Sequence, residues 1–166
     1  MADRMADRMA EAIINTSPLL YLYRIGVLDW LPKLFSGIWT SNAVANELKE
    51  GEQKGYDVPN PSAYDWLTIV EPRALPSEWL SLDLGAGELA VMALALENPD
   101  RIVILDDALA RRTANAAGIA VWGTLKILLQ AKRHGLTEKI GPLVHRLEKT
   151  GMWLSDDIRQ SDFDAV

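Results

Sequence analysis

The sequence predicts an α/β fold, a mainly parallel sheet covered by helices on both faces. Three observations carry this. Apolar runs such as "AIIN" (12–15) and "RIVILDD" (101–107) are continuous rather than alternating, as in strands buried on both sides. Helical segments alternate with these runs along the chain. Small polar and acidic residues collect where the runs end, the place where reactive groups gather in parallel sheets.

Each element has its own justification. The start, "MADRMADRMAEA", alternates charge and lacks the apolar core of a secretion signal, so residues 1–11 are expected to form a flexible extension and 12–166 a single domain. "AIIN" is the first strand. "PLLYLYRIGVLDWLPKLF" (18–35) reads as a helix from Pro18, a break near Gly26 and a shorter helix. "GIWT" (37–40) is the second strand. In "SNAVANELKEG" (41–51), Ser41 or Asn42 caps a helix with Val44 and Leu48 inward and Gly51 as its stop. Residues 51–62 are a loop, and "WLTIVEP" (66–72) is a strand or edge segment. "GAGELAVMALALEN" (85–98) is rich in strong helix formers. "RIVILDD" is the clearest strand, followed by a helix at 108–118 ended by Gly118. "IAVWG" (119–123) is a last strand, and helices follow at 124–135 and 137–151, each closed by glycine. The tail is short and polar.

Composition narrows the chemistry. The chain has 166 residues, 49% hydrophobic and 24% charged, with a net charge of −6 and no cysteine. Disulfides, thiolate catalysis and cysteine–zinc sites are excluded, which fits a reducing cytoplasm. No apolar run approaches the ~20 residues of a membrane span. The acidity excludes a broad basic surface, so contact with a nucleic acid requires a local basic patch or bridging metal ions.

Acidic residues recur at element boundaries: Glu47 on the helix after the second strand, Glu88 in the first turn of the helix from Gly85, and Asp106 and Asp107 at the end of the clearest strand. In a parallel sheet these positions and Asn15 converge on one edge. Clustered carboxylates repel one another unless a hard divalent cation, Mg²⁺ or Mn²⁺, shares their oxygens. Such an ion activates water and offsets charge on a phosphate being cleaved. Each residue also has a structural explanation: Glu88 favours the helix dipole, Asp107 caps the next helix, Glu47 pairs with Lys49 or Lys54, and Thr16 or Ser17 caps the first helix. The case for a site rests on their joint placement.

These stretches resemble a known family. "NTSPLLYLYRIGVLDWLPKLF", "VANELKEG", "GAGELAVMALALE", "VILDDALARRTANAAGIAVWGTLKILLQAKRHG" and the closing Leu-rich helix resemble PIN-domain proteins, in a nucleic-acid-binding subgroup related to toxin ribonucleases. The resemblance spans about residues 12 to 155. It implies a three-layer α/β/α fold, a metal-dependent endoribonuclease site, an RNA substrate, a small antitoxin partner and a homodimer. Matched one by one, the family's acids fall on Asn15, Glu47, Glu88 and Asp106 or Asp107, and its hydroxyl residue on Thr16. Asn15 is a departure, because the typical enzyme carries Asp there. The expected metal ligands are therefore Glu88, Asp106, Asp107 and Asn15, with Glu47 and Thr16 completing the catalytic set.

Two rivals are distinguishable. A PIN-like fold without catalysis, serving as a binding module, is motivated by Asn15. "GAGELA" (85–90) also satisfies a dinucleotide fingerprint with Asp106 about 20 residues on, although the preceding segment is a poor strand. Arg111 and Arg112 follow the acidic strand end closely enough to reach a bound nucleic acid, whereas Lys132 and Arg133 read as a solvated helix face. His134 and His145 lack metal-ligand spacing. The six tryptophans read mostly as core or interface anchors, and Tyr21, Tyr23 and Trp30 as a dimer surface.

Overall fold

A computed structural model describes residues 9–151. Five strands form one sheet: β1 (Glu11–Ile14), β2 (Gly37–Thr40), β3 (Leu67–Ile69), β4 (Ile102–Ile104) and β5 (Val121–Trp122). Their order is β3-β2-β1-β4-β5, and every pairing is parallel. Among the described residues, seven α-helices flank the sheet: α1 (Thr16–Arg24), α2 (Leu31–Leu34), α3 (Asn42–Gln53), α4 (Ala86–Glu97), α5 (Ala108–Ala116), α6 (Thr124–Arg133) and α7 (Gly141–Lys149). The expected α/β/α architecture is the one found.

β1 is the central strand, and Ala12, Ile13 and Ile14 are fully buried. Ala12 pairs with Ile38 on one side and Ile102 on the other. The chain runs from β1 to β2 on one flank and later to β4 on the opposite flank. The carboxyl end of β1 is thus the switch point of the sheet, where open parallel sheets place their ligand crevice. α4 packs on β1 and β4, α3 packs against α1 and α4, and α6 lies between α1 and β5. The interior of α4 from Ala90 to Ala95 is buried throughout, which explains its uniformly apolar sequence.

At the amino end of the sheet, Arg101 is buried. Its guanidinium donates to the carbonyls of Ala12 at 3.1 Å and Gly37 at 3.2 Å and to the Glu11 carboxylate at 2.8 Å, and it stacks on Trp39 with 3.4 Å to the ring centre. One side chain therefore ties β1, β2 and the start of β4 at the end opposite the acidic residues.

The elements exist where the sequence places them, with shifted ends. β1 begins at Glu11 and stops before Asn15, and α1 begins at Thr16 rather than Pro18. Gly51 does not stop α3, which continues to Gln53; the turn out comes at Gly55, whose φ of +89° suits glycine alone. β3 and β4 are three residues each, so Leu105, Asp106 and Asp107 lie beyond the strand. α7 starts at Gly141-Pro142 rather than residue 137. Trp153 and the polar tail lie outside the described residues.

Candidate metal centre

The loop from β1 into α1 is one residue long, so Asn15 is fixed at the carboxyl edge from both sides. Its backbone N–H donates to Ile104 of β4 at 3.0 Å, which continues the ladder one step past the strand. It stands at the N-cap position of α1 but makes no side-chain cap bond. Its amide oxygen Oδ1 is buried and has no hydrogen-bond partner among the described residues. A buried acceptor left in this state costs about 1–3 kcal/mol unless a donor or cation meets it.

Glu47 reaches this edge from the second turn of α3. The Thr16 hydroxyl donates to its Oε2 at 2.5 Å, and the Gly87 N–H donates to its Oε1 at 2.9 Å. A Cβ built on Gly87 would stand 2.8 Å from Glu47 Oε1 and 3.0 Å from Asn15 Oδ1, so only glycine admits both side chains against the first turn of α4. Thr16 therefore orients Glu47 and does not cap α1, and Glu47 pairs with neither Lys49 nor Lys54.

Glu88 lies one residue beyond Gly87. Its Oε1 accepts from the Gly85 N–H at 3.1 Å, the return half of a capping box; Gly85 has no side chain to supply the other half. Its Oε2 is buried and has no hydrogen-bond partner among the described residues. Burial raises the Glu88 pKa, the Gly85 N–H offsets part of that rise, and the neighbouring Asp107 and Glu47 carboxylates push it further up. Glu88 thus has the carboxylates of Asp107 and Glu47 as neighbours, and Glu47 shares the space over Gly87 with the Asn15 amide.

The two aspartates of "LDD" separate. Asp106 turns to α6: the Thr124 N–H donates to Oδ1 at 2.7 Å and the Thr124 hydroxyl to Oδ2 at 2.6 Å. Burial raises its pKa against the lowering by Thr124 and Arg111. Asp107 caps α5, its Oδ2 accepting from the Ala110 N–H at 2.9 Å, and it remains exposed beside Glu88. Capping and membership of the acidic pocket are both true of this residue.

Arg111 flanks Gly123, where a Cβ would meet its Nη1 at 3.0 Å and Asp106 Oδ1 at 3.1 Å. Arg112 lies elsewhere on α5, lining a depression with Glu78, Trp79 and Leu82. Burial, and more weakly the Asp106 charge, raise the pKa of Tyr21. The Tyr23 hydroxyl donates to Asp57 at 2.8 Å. Neither histidine approaches the pocket residues in any hydrogen bond or ion pair among the described residues.

Among the described residues, no three of His, Cys, Asp or Glu gather closely enough to hold a metal ion by themselves. The donor chemistry nonetheless fits a hard cation. Among the described residues two buried oxygens, Asn15 Oδ1 and Glu88 Oε2, lack partners, and Asp107 adds a carboxylate beside Glu88. Glu47 and Asp106 are each oriented by two hydrogen bonds within the chain, one to each oxygen, which leaves a second lone pair on every one of those oxygens. The signal for that orientation lies in Thr16, Gly87 and Thr124, distant in sequence.

The dinucleotide alternative fails on this geometry. A ³₁₀ turn at Ser77–Trp79, not a strand, precedes the "GAGELA" helix, and the Glu88 carboxylate occupies the N–H that a pyrophosphate needs. No described helix is long and apolar enough to cross a membrane.

Comparisons with known proteins agree with the fold. A family model described as PIN domain matches residues 11–163. Among solved structures, the chain is similar to a PilT N-terminus domain protein from the hyperthermophilic archaeon Sulfolobus solfataricus P2. The identity is 17% and the TM-score 0.56, over 73% of this chain and 92% of that one. No curated protein matches.

Proposed function

The chain belongs to the PIN-domain family, whose members are commonly nucleases that use divalent metals, and on that premise we propose that it is a metal-dependent endoribonuclease. The observation that carries this reading is the pair of buried, unpartnered oxygens on Asn15 and Glu88 beside Asp107. These three residues would hold Mg²⁺ or Mn²⁺, which supplies a Lewis acid for the scissile phosphate and a lowered pKa for the attacking water.

The remaining residues position this set. Glu47 joins α1 to α4 through Thr16 and Gly87 and so fixes Asn15 and Glu88 relative to each other. Asp106 anchors the start of α6 through Thr124. Arg111, beside Gly123, presents a guanidinium to a phosphodiester approaching this edge. The resemblance also implies a toxin held by an antitoxin; a bacterial host that grows normally on expression of the chain contradicts that role and leaves the nuclease assignment standing.

A second reading, a binding module without catalysis, is favoured by the uncharged Asn15 and by the absence of three converging acids among the described residues. Cleavage of single-stranded RNA in Mn²⁺ separates the two. Wild type is expected to cut, and Glu88→Gln and Asp107→Asn to lose about 100-fold or more in rate, the scale of removing one charge-stabilising group. Glu88→Gln keeps the Gly85 cap through its amide oxygen, so it melts at or above the wild-type temperature in EDTA. Equal residual activity in wild type and both variants identifies the binding module.

A further inference from the structure

We propose that the solvent face of α6 is the track along which single-stranded RNA leaves the acidic pocket. The proposal rests on the ribonuclease reading and assigns that site a substrate-binding surface.

Three observations support it. First, α6 starts at the site: Thr124, its first residue, donates two hydrogen bonds to Asp106. Second, Lys126, Leu129, Gln130 and Arg133 recur at three- and four-residue intervals and so share one helix face. With Lys132 they line a groove of about 550 Å³, in which Leu129 is the apolar member. The helix is ten residues, about 15 Å long. Third, cations concentrate here on a chain whose net charge is −6. Lys126 is held at the pocket end, its ammonium 4.9 Å from the centre of the Trp122 ring, and Arg111 stands nearby at Gly123. Among the described residues neither Lys126 nor Arg133 forms an ion pair.

The groove thus offers two cations, Lys126 held over Trp122 and Arg133 seven residues on, with Leu129 between them, on a helix whose first residue bonds Asp106. That is the pattern by which a sequence-tolerant site follows a phosphate backbone while bases lie on apolar surface. An acidic protein segment would satisfy the same charges. Continuity with the pocket favours RNA, because a substrate cut at this edge must extend away from it on at least one side. Arg133, at the far end of α6, belongs to this surface rather than to an unengaged solvated face.

The test is fluorescence anisotropy with a labelled single-stranded RNA dodecamer, in EDTA so that nothing is cut, across a salt series. The double variant Lys126→Gln/Arg133→Gln is compared with Lys49→Gln/Lys54→Gln, which removes the same charge from α3 and the residue that follows it. The α6 variant is expected to bind about tenfold more weakly, with a salt slope shallower by about 1.4, two phosphate contacts' worth for a single strand. Its Mn²⁺-induced rise in melting temperature should equal that of wild type. Equal weakening in both double variants overturns the proposal, as does an unchanged affinity. Unchanged RNA affinity with an altered oligomeric state in the α6 variant identifies the groove as a protein interface instead. If the α6 variant weakens binding while Glu88→Gln leaves cleavage unaffected, the track stands and the catalytic assignment fails.

Discussion

An amide stands where a carboxylate would complete the acidic set. Asn15 has its backbone held by the β1–β4 ladder on one side and the start of α1 on the other, and its oxygen lies over Gly87 beside Glu47. Replacing it with Asp keeps the shape and adds a charge among Glu47, Glu88 and Asp107. Asn15→Asp is therefore expected to lose about 1–3 kcal/mol of stability without metal, because a further buried carboxylate repels its neighbours. The same charge should raise Mn²⁺ affinity by about tenfold or more. Denaturation in EDTA and calorimetric titration with Mn²⁺ measure the two effects; an apo protein as stable as wild type with unchanged affinity contradicts this account of the pocket. The residue was legible from the sequence as a departure. Its missing partner was not, since that depends on where Gly87 lies, 72 positions away.

At the scale of elements, the sequence locates strands and helices well where burial decides and poorly where ends or distant partners decide. "AIIN" and "VILDD" read as strands because a central parallel strand is apolar on both faces. Gly51 misled because a glycine inside a helix costs only about 1 kcal/mol, and α3 is held by Val44 and Leu48 beneath it. The doublet Asp106-Asp107 is ambiguous in sequence because both residues suit a helix start; Thr124, on the next crossover, separates them. Arg101 shows the same limit. Nothing local marks it as a core residue, yet it bridges three strands at the end of the sheet opposite the pocket. Arg101→Met should cost about 3 kcal/mol in urea denaturation, since it leaves the Ala12 and Gly37 carbonyls without their donor. Arg101→Lys should recover only part of that loss, because an ammonium lacks the planar fork. A loss below 1 kcal/mol for Arg101→Met removes this side chain from the account of what holds the sheet.

At the scale of the whole molecule, charge and topology agree. On the proposed function, an acidic chain would meet a polyanion at the edge of the β1 switch point, where Asn15, Glu47 and Glu88 lie, with the cations of α6 to the side. Family membership supplies the expectation of a nuclease, and the unpartnered oxygens supply its physical basis. The most direct test is a crystal soaked in Mn²⁺ and measured at the manganese absorption edge. The account predicts an anomalous peak about 2 Å from Asn15 Oδ1, Glu88 Oε2 and an Asp107 oxygen. No peak there at saturating Mn²⁺, or a peak confined to another surface, would contradict it.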